Sequence, residues 1–229
     1  MRYMIHAVPS RLWYVEDFMI PSMLEQGIEK KEISIYCDYN RKGNLFSFMD
    51  SMRYCGEHPV EGGTWHVQDD VLLSKKFAET TRRFNDGVVC GAVIKDWGPD
   101  YLKTGVQPVE ELWYSFQCIR IPDEIAWECA YWFYTDARKR TEGKYRNRIT
   151  RNKHDDDFFR FFLLEKHPEL TIRNLKPNIV DHIDYMIGGS LINGERARQI
   201  NRVAYWGDED LIHKLEEDLL FYTQSKLKK

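Results

Sequence analysis

The first 73 residues alternate between apolar segments of strand length and segments in which apolar residues recur at helical spacing. Strands are predicted at residues 3–8, at residues 33–38 and around Trp65, with helices at residues 15–26 and 45–55 between them. This order is typical of a parallel α/β sheet, because parallel neighbours need a crossover connection that a helix supplies. We therefore expect an α/β fold in which helices flank a mostly parallel sheet.

Polar residues follow each of these predicted strands. In chain order they are Pro9, Ser10 and Arg11, then Asp38, then Asp69 and Asp70. Ligands of open α/β sheets bind beyond the carboxyl ends of the strands. Because the three strand ends are predicted to share one edge of the sheet, we expect a binding site there.

Asp69 and Asp70 lie within residues 63–77, a stretch that otherwise has the apolar and β-branched residues of a buried strand. Burial of two adjacent carboxylates is unfavourable unless a cation or several donors meet them. Carboxylate oxygens suit Mg²⁺ or Mn²⁺, and these ions suit a diphosphate. The alternative is that the two aspartates cap a helix predicted at residues 74–84.

The composition is that of a soluble globular protein. The 229 residues are 43% hydrophobic and 30% charged, and the five cysteines form no CxxC pair. An odd number of cysteines in apolar segments indicates reduced thiols and a cytoplasmic location rather than disulfides or a zinc site. No signal peptide or membrane span is predicted. The 14% aromatic content suits either ring stacking at a site or a bulky core.

A basic run occupies residues 138–153, which carry eight basic side chains and one acid, a balance of +7 in a chain of net charge −3. Its basic members are Arg138, Lys139, Arg140, Lys144, Arg146, Arg148, Arg151 and Lys153. Such a run is suited to gripping a diphosphate or the phosphates of a nucleic acid. A solvated loop is the alternative that needs no ligand.

Acidic residues open the next predicted helix. Asp155, Asp156 and Asp157 precede an apolar segment, and the helix dipole favours acids in a first turn. Three acids next to His154 are more than capping requires. Further on, His182 follows a short predicted strand; a lone histidine is usually structural.

The order of these features resembles that of the GT-A glycosyltransferases. The matching stretches are His-Val-Gln-Asp-Asp at residues 66–70 for the DxD motif, residues 155–157 for the xED motif, and His182 for the C-terminal metal histidine. The resemblance covers most of residues 1–190, leaving 191–229 as a C-terminal helical extension packed on that domain. Within that family the chain resembles the small glycosyltransferases of phages, some of which modify hydroxymethylated bases in phage DNA. Gln68 departs from the motif, since a ligand carboxylate often stands there.

The resemblance implies transfer of a sugar from a nucleotide-diphosphate sugar to a hydroxyl acceptor. Mn²⁺ or Mg²⁺, bound by Asp70 with Asp69 and His182, would neutralise the leaving diphosphate. Asp155 or Asp156 would accept the proton of the acceptor. Asp155 is favoured, because it stands where the xED carboxylate of the family stands relative to the helix.

Donor contacts are expected at the ends of the first two strands. Asp38 is placed to hydrogen-bond the nucleoside ring or ribose, and Asp69 is expected to contribute to donor binding. Pro9, Ser10 and Arg11 are placed to close over the base and the diphosphate.

The basic run precedes the expected catalytic carboxylates, so it would deliver a polyanion to the acceptor side of the site. We therefore expect duplex DNA bearing hydroxymethylated pyrimidines as the acceptor, with a glycan or small molecule as the runner-up. A phage-encoded enzyme of this kind would work in the host cytoplasm. Two other classes remain open: a metal-dependent phosphoesterase or nuclease, and a non-catalytic nucleic-acid-binding protein.

Overall fold

The computed structural model describes residues 1–92, 116–136, 155–175, 178–183 and 187, together with the backbone of 105–108 and 137. The strands in these ranges are β1 (Arg2–Ala7), β2 (Ile33–Cys37), β3 (Thr64–Gln68), β4 (Val71–Leu73), β5 (Val88–Cys90), β6 (Gly105–Pro108), β7 (Cys118–Ile121), β8 (Thr171–Asn174) and β9 (Val180–His182). The α-helices are α1 (Leu12–Tyr14), α2 (Ile20–Glu25), α3 (Asn44–Glu57), α4 (Phe77–Arg83), α5 (Asp123–Trp132) and, numbered here in chain order, α6 (Asp155–Lys166). A π-helical segment, Val15–Met19, joins α1 to α2.

Seven of the described strands form one mixed sheet in the order β2-β1-β3-β7-β5-β8-β6. β1 pairs in parallel with β2 and β3, and β5 pairs in parallel with β8. β7 is antiparallel to both β3 and β5, and β6 is antiparallel to β8. Five strands therefore point one way and two point the other way. The predicted α/β fold with a mostly parallel sheet and flanking helices is confirmed.

The alternation of side chains along β1 explains why helices cover both faces of the sheet. Tyr3 and Ile5 point to one face and are fully buried with Trp65 of β3 and residues of α1, α2 and α4. The opposite face is covered by α3, α5 and α6, whose apolar side chains form a second core with β7. Each large apolar side chain buried in this way contributes about 1.5–3 kcal/mol.

Helices α3 and α5 approach each other closely at Gly56. A Cβ atom placed at Gly56 would lie 2.4 Å from Cβ of Trp127, a distance that no real pair of these atoms can adopt. The absence of a side chain at Gly56 therefore lets α5 lie against α3, and this contact supports the second core.

The segment after β3 differs from the prediction. β3 ends at Gln68, and β4 leaves the main sheet to pair antiparallel with β9. The following helix, α4, begins only at Phe77, with Lys76 as its N-cap residue and no side-chain capping hydrogen bond. The alternative in which Asp69 and Asp70 cap this helix is therefore wrong.

Two further strands of the main sheet, β5 and β7, lie beyond this segment, and α5 begins directly after Pro122. The basic run and the C-terminal extension at 191–229 lie outside the described residues. Within the described ranges, no helix combines the length and the apolar character needed to cross a bilayer.

Candidate functional site

The candidate site lies at the carboxyl edge of the sheet, where β1 and β3 end side by side. His6 of β1 is in register with Gln68 of β3, so the residues that follow the two strands are neighbours. The backbone N–H of Val8 donates to Oδ2 of Asp69 over 2.7 Å. The parallel pairing of two strands thus brings Asp69 and Asp70 next to the turn at Pro9–Arg11.

Arg11 connects the two aspartates through one nitrogen. Its Nη1 atom donates to Oδ1 of Asp69 at 3.0 Å and to Oδ2 of Asp70 at 2.7 Å. The side chains of Arg11, Asp69 and Asp70 are only 5%, 6% and 13% exposed. Burial opposes the charge on Arg11, but the two carboxylates outweigh it and raise the pKa of the guanidinium.

His182 reaches the same site from the small sheet. Val71 of β4 pairs with His182 of β9, and the N–H of Ile183 donates to the backbone oxygen of Asp70 at 2.8 Å. These backbone contacts place Nε2 of His182 3.3 Å from Oδ2 of Asp70. Asp70 and His182, which were both predicted to be metal ligands, are therefore in direct contact with each other.

The pKa values of the two neighbouring aspartates are shifted in opposite directions. Burial and the charge of Asp70 raise the pKa of Asp69 to about 6, against the opposing effect of Arg11. Burial also acts to raise the pKa of Asp70, but the contact with His182 and the charges of His182 and Arg11 lower it below its usual range. Asp70 is thus the carboxylate that the site holds in its ionised form.

Asp155 is the first residue of α6 and is held by the start of α3. Its side chain is buried, and Nδ2 of Asn44 donates to its Oδ1 atom at 2.9 Å. Burial raises the pKa of Asp155 well above its usual value, and the charges of Asp156 and Asp70 add to this shift. The charge of Asp70 therefore contributes to the raised pKa of Asp155, although the two residues come from distant parts of the chain.

The other predicted site residues occupy different positions. Asp156 is partly buried in the first turn of α6, where its Oδ1 atom accepts the N–H of Asp157. Pro9 and Ser10 are exposed beside Arg11. The carboxylate of Asp38 accepts the N–H groups of Lys42 and Gly43, each at 2.9 Å, so it shapes the loop that leads to α3.

Three residues of this region were not predicted as site residues, although His66 begins the stretch that was matched to the DxD motif. Asn44 begins α3 just beyond β2, so the rule about polar residues after strands could have found it. His6 and His66 form a buried pair, with Nε2 of His6 2.9 Å from Nδ1 of His66. Burial lowers the pKa of both histidines. Each stands alone in an apolar strand, and only the strand pairing brings them together.

The donor set can be tested for its fit to a divalent ion. Among the described residues, Oδ1 of Asp70 is buried without a hydrogen-bond partner, while Oδ2 faces the imidazole of His182. Carboxylate oxygen with imidazole nitrogen suits Mn²⁺ or Mg²⁺. Within those same residues, no three His, Cys, Asp or Glu side chains are already arranged as a metal site. The ligand types fit, and Arg11 lies between the two carboxylates.

The basic residues predicted to bind nucleic acid, Arg138 to Arg151, lie outside the described residues.

Compared with protein-family models and with curated proteins, the chain matches neither a family model nor a curated protein. The fold and the site define an α/β protein that gathers carboxylates, a guanidinium and an imidazole at the carboxyl edge of its sheet.

Proposed function

We propose that this protein is a glycosyltransferase with a GT-A-like fold, which transfers a sugar from a nucleotide-diphosphate sugar to a hydroxyl acceptor. The observation that carries the proposal is the contact of Asp70 with both Arg11 and His182 at the carboxyl edge of the sheet, which holds this carboxylate in its ionised form. Asp155 adds a buried carboxyl whose Oδ2 atom has no hydrogen-bond partner among the described residues and whose pKa is raised by burial. These are the two kinds of group that sugar transfer needs, one on each side of the anomeric carbon.

The donor side is assigned to Asp70, Asp69 and His182. When bound there, Mn²⁺ or Mg²⁺ would supply positive charge to the leaving diphosphate. Arg11, next to both carboxylates, adds a cation that can pair with phosphate oxygens. Pro9, Ser10 and Asp38 follow the adjacent strands and are proposed to contact the nucleotide.

The acceptor side is assigned to Asp155. In the reaction, the acceptor oxygen forms a bond to the anomeric carbon while the bond from that carbon to the diphosphate oxygen breaks. Asp155, once ionised, takes the proton that the acceptor hydroxyl loses, and its raised pKa makes it the stronger base. Direct attack of this kind inverts the configuration of the anomeric carbon. Asn44 orients Asp155 through its hydrogen bond to Oδ1.

The acceptor itself is proposed from the sequence alone. The charge of +7 over residues 138–153 exceeds what one diphosphate requires and favours an acceptor with repeated phosphates. We propose duplex DNA that carries hydroxymethylated pyrimidines, with a glycan or small molecule as the runner-up.

The test is incubation with Mn²⁺ and a panel of nucleotide sugars, with release of nucleoside diphosphate as the readout. Release should depend on one nucleotide sugar and increase when hydroxymethylated duplex DNA is added. Cleavage of DNA without any sugar donor would favour the phosphoesterase. DNA binding that falls steeply with salt, with no release from any donor, would favour the binding protein. Release that responds only to glycans would retain the transferase and reject the DNA acceptor.

A further inference from the structure

Arg11 contacts two of the carboxylates that the proposed function assigns to a metal ion. A guanidinium has five N–H donors, yet the same terminal nitrogen of Arg11 contacts both Asp69 and Asp70. The residue as a whole is 4% exposed, so its charge is neutralised by these carboxylates rather than by water. Arg11 is therefore an internal cation placed between two expected metal ligands.

The geometry allows little room for two cations on Asp70. Nη1 of Arg11 lies 2.7 Å from Oδ2 of Asp70, and a Mg²⁺ or Mn²⁺ ion binds carboxylate oxygens at about 2.0–2.2 Å. An ion on the same carboxylate would lie within a few ångströms of the guanidinium. Burial weakens the screening by water, so the two positive charges would repel each other strongly.

We propose that Arg11 competes with the divalent ion for Asp70 and acts as an intrinsic counter-cation that the ion must displace. Asp69 gives Arg11 a second partner, so the guanidinium keeps one ion pair when the metal takes Asp70. Arg11 is then a positioning residue that sets the affinity of the site for the metal. This inference rests on the proposed function, because it takes Asp70 and His182 as metal ligands.

The experiment measures Mn²⁺ binding directly, by electron paramagnetic resonance of the free ion, in the 229-residue chain without any donor. Arg11→Gln should bind Mn²⁺ about tenfold more tightly than the wild type, because a unit charge has been removed next to the ligand. Arg53→Gln is the matched control: it removes the same charge from a half-exposed arginine of α3 and should leave the affinity unchanged. Equal or weaker binding to Arg11→Gln, including no binding to either protein, would overturn the proposal.

Thermal unfolding gives a second readout of the same competition. Arg11→Gln should unfold at a lower temperature than the wild type without metal, and Mn²⁺ should restore more of its stability than it adds to the wild type. If Arg11→Gln does not fold, Arg11→Met replaces it. Methionine carries no charge and fills part of the same volume, so Arg11→Met should also bind Mn²⁺ more tightly than the wild type, and equal or weaker binding overturns the proposal in the same way.

The two proposals fail separately. Release of nucleoside diphosphate by the wild type measures the transferase activity without reference to Arg11. If the wild type transfers sugar and Arg11→Gln shows no gain in Mn²⁺ affinity, the competition is rejected and the transferase proposal stands. If the wild type has no transferase activity and Arg11→Gln still binds Mn²⁺ more tightly, the competition stands and the transferase proposal is rejected.

Discussion

Asp70 and Asp50 are both largely buried aspartates that contact basic residues, but their hydrogen bonding differs. Asp50, on α3, receives hydrogen bonds from Lys42 at 2.5 Å, from Tyr134 at 2.5 Å and from Tyr36 at 3.1 Å. Both of its oxygens are satisfied. Asp70, in contrast, has one buried oxygen without a hydrogen-bond partner among the described residues.

The pKa values of Asp50 and Asp70 are both lowered, and the two regions differ instead in the carboxyls that surround each aspartate. Burial alone would raise the pKa of Asp50, but its hydrogen bonds with Lys42 and Tyr134 lower it. Around Asp70, the nearby carboxyls of Asp69 and Asp155 instead have raised pKa values. A carboxylate whose charge is fully compensated contributes to stability, whereas a group of incompletely compensated carboxyls is typical of a binding or catalytic site.

The largest expected effect is on Asp70. Asp70→Ala should reduce the proposed sugar transfer by about 10³-fold or more, because the metal ion proposed to neutralise the leaving diphosphate would lose a ligand. The variant should still fold, since this side chain lies at a strand end and adds little apolar packing. Rates are measured by release of nucleoside diphosphate, and folding by circular dichroism. Near-normal turnover in folded Asp70→Ala would reject the assignment.

Asp50→Ala is the matched control for that experiment. It should lower the free energy of unfolding by about 1–3 kcal/mol, since it leaves Tyr36, Tyr134 and Lys42 without their acceptor. Its turnover, corrected for the folded fraction, should stay near that of the wild type. If Asp50→Ala lost activity and kept its stability, the contrast between the two aspartates would be reversed.

A smaller effect is expected at the start of α6. Asp155→Asn should lower turnover by about 10²-fold while nucleotide-sugar binding, measured by calorimetry, is retained. Asp156→Asn is the matched comparison and should remain close to the wild type, because this carboxyl is less buried and lies against the first turn of the helix. In the wild type, turnover should rise with pH as Asp155 ionises. Wild-type rates in both variants would leave the acidic residues with a role in helix formation only.

The smallest effect is a pH dependence of stability caused by Asp69. Its pKa is about 6 in the folded protein and about 3.9 in an unfolded chain, so the folded state binds the proton more tightly. The stability that this proton contributes is present below pH 4 and is lost as pH rises through 6. Between pH 4 and 7, the free energy of unfolding should therefore fall by about 1–3 kcal/mol more in the wild type than in Asp69→Asn.

Urea unfolding at several pH values measures this difference. Asp50→Asn provides the opposite case, because a lowered pKa contributes stability above the unfolded pKa that is lost as pH falls through the folded one. Parallel stability curves for Asp69→Asn and the wild type would show that Arg11 compensates the charge of Asp69 completely.

The sequence was sufficient for the parts of the structure that local patterns determine. The strands β1 to β3, the helix α3 and the gathering of Arg11 with Asp70 follow from apolar periodicity and from the rule about strand ends. The strand with which Val71–Leu73 pairs could not be predicted, because an apolar segment of three residues does not reveal its pairing partner. That partner, β9, lies far along the chain.

The hydrogen-bond partners of individual side chains could not be predicted from the sequence either. Asp38 follows a strand in the same way as Asp70, yet its oxygens accept N–H groups of its own loop. The difference depends on loop conformation, which includes a positive φ of 87° at Gly43. The contact of Asn44 with Asp155 likewise needed the placement of α6 against α3.

The pairing of β4 with β9 has a consequence for folding. It joins residue 71 to residue 182, so the contact between Asp70 and His182 forms only after a long loop has closed. Closure of long loops is entropically unfavourable, and non-local strand pairs form late in folding. During synthesis, Arg11 can meet both aspartates as soon as β1 and β3 pair, well before His182 has left the ribosome. The site would therefore be assembled in two stages, with the arginine neutralising the carboxylates until the histidine arrives.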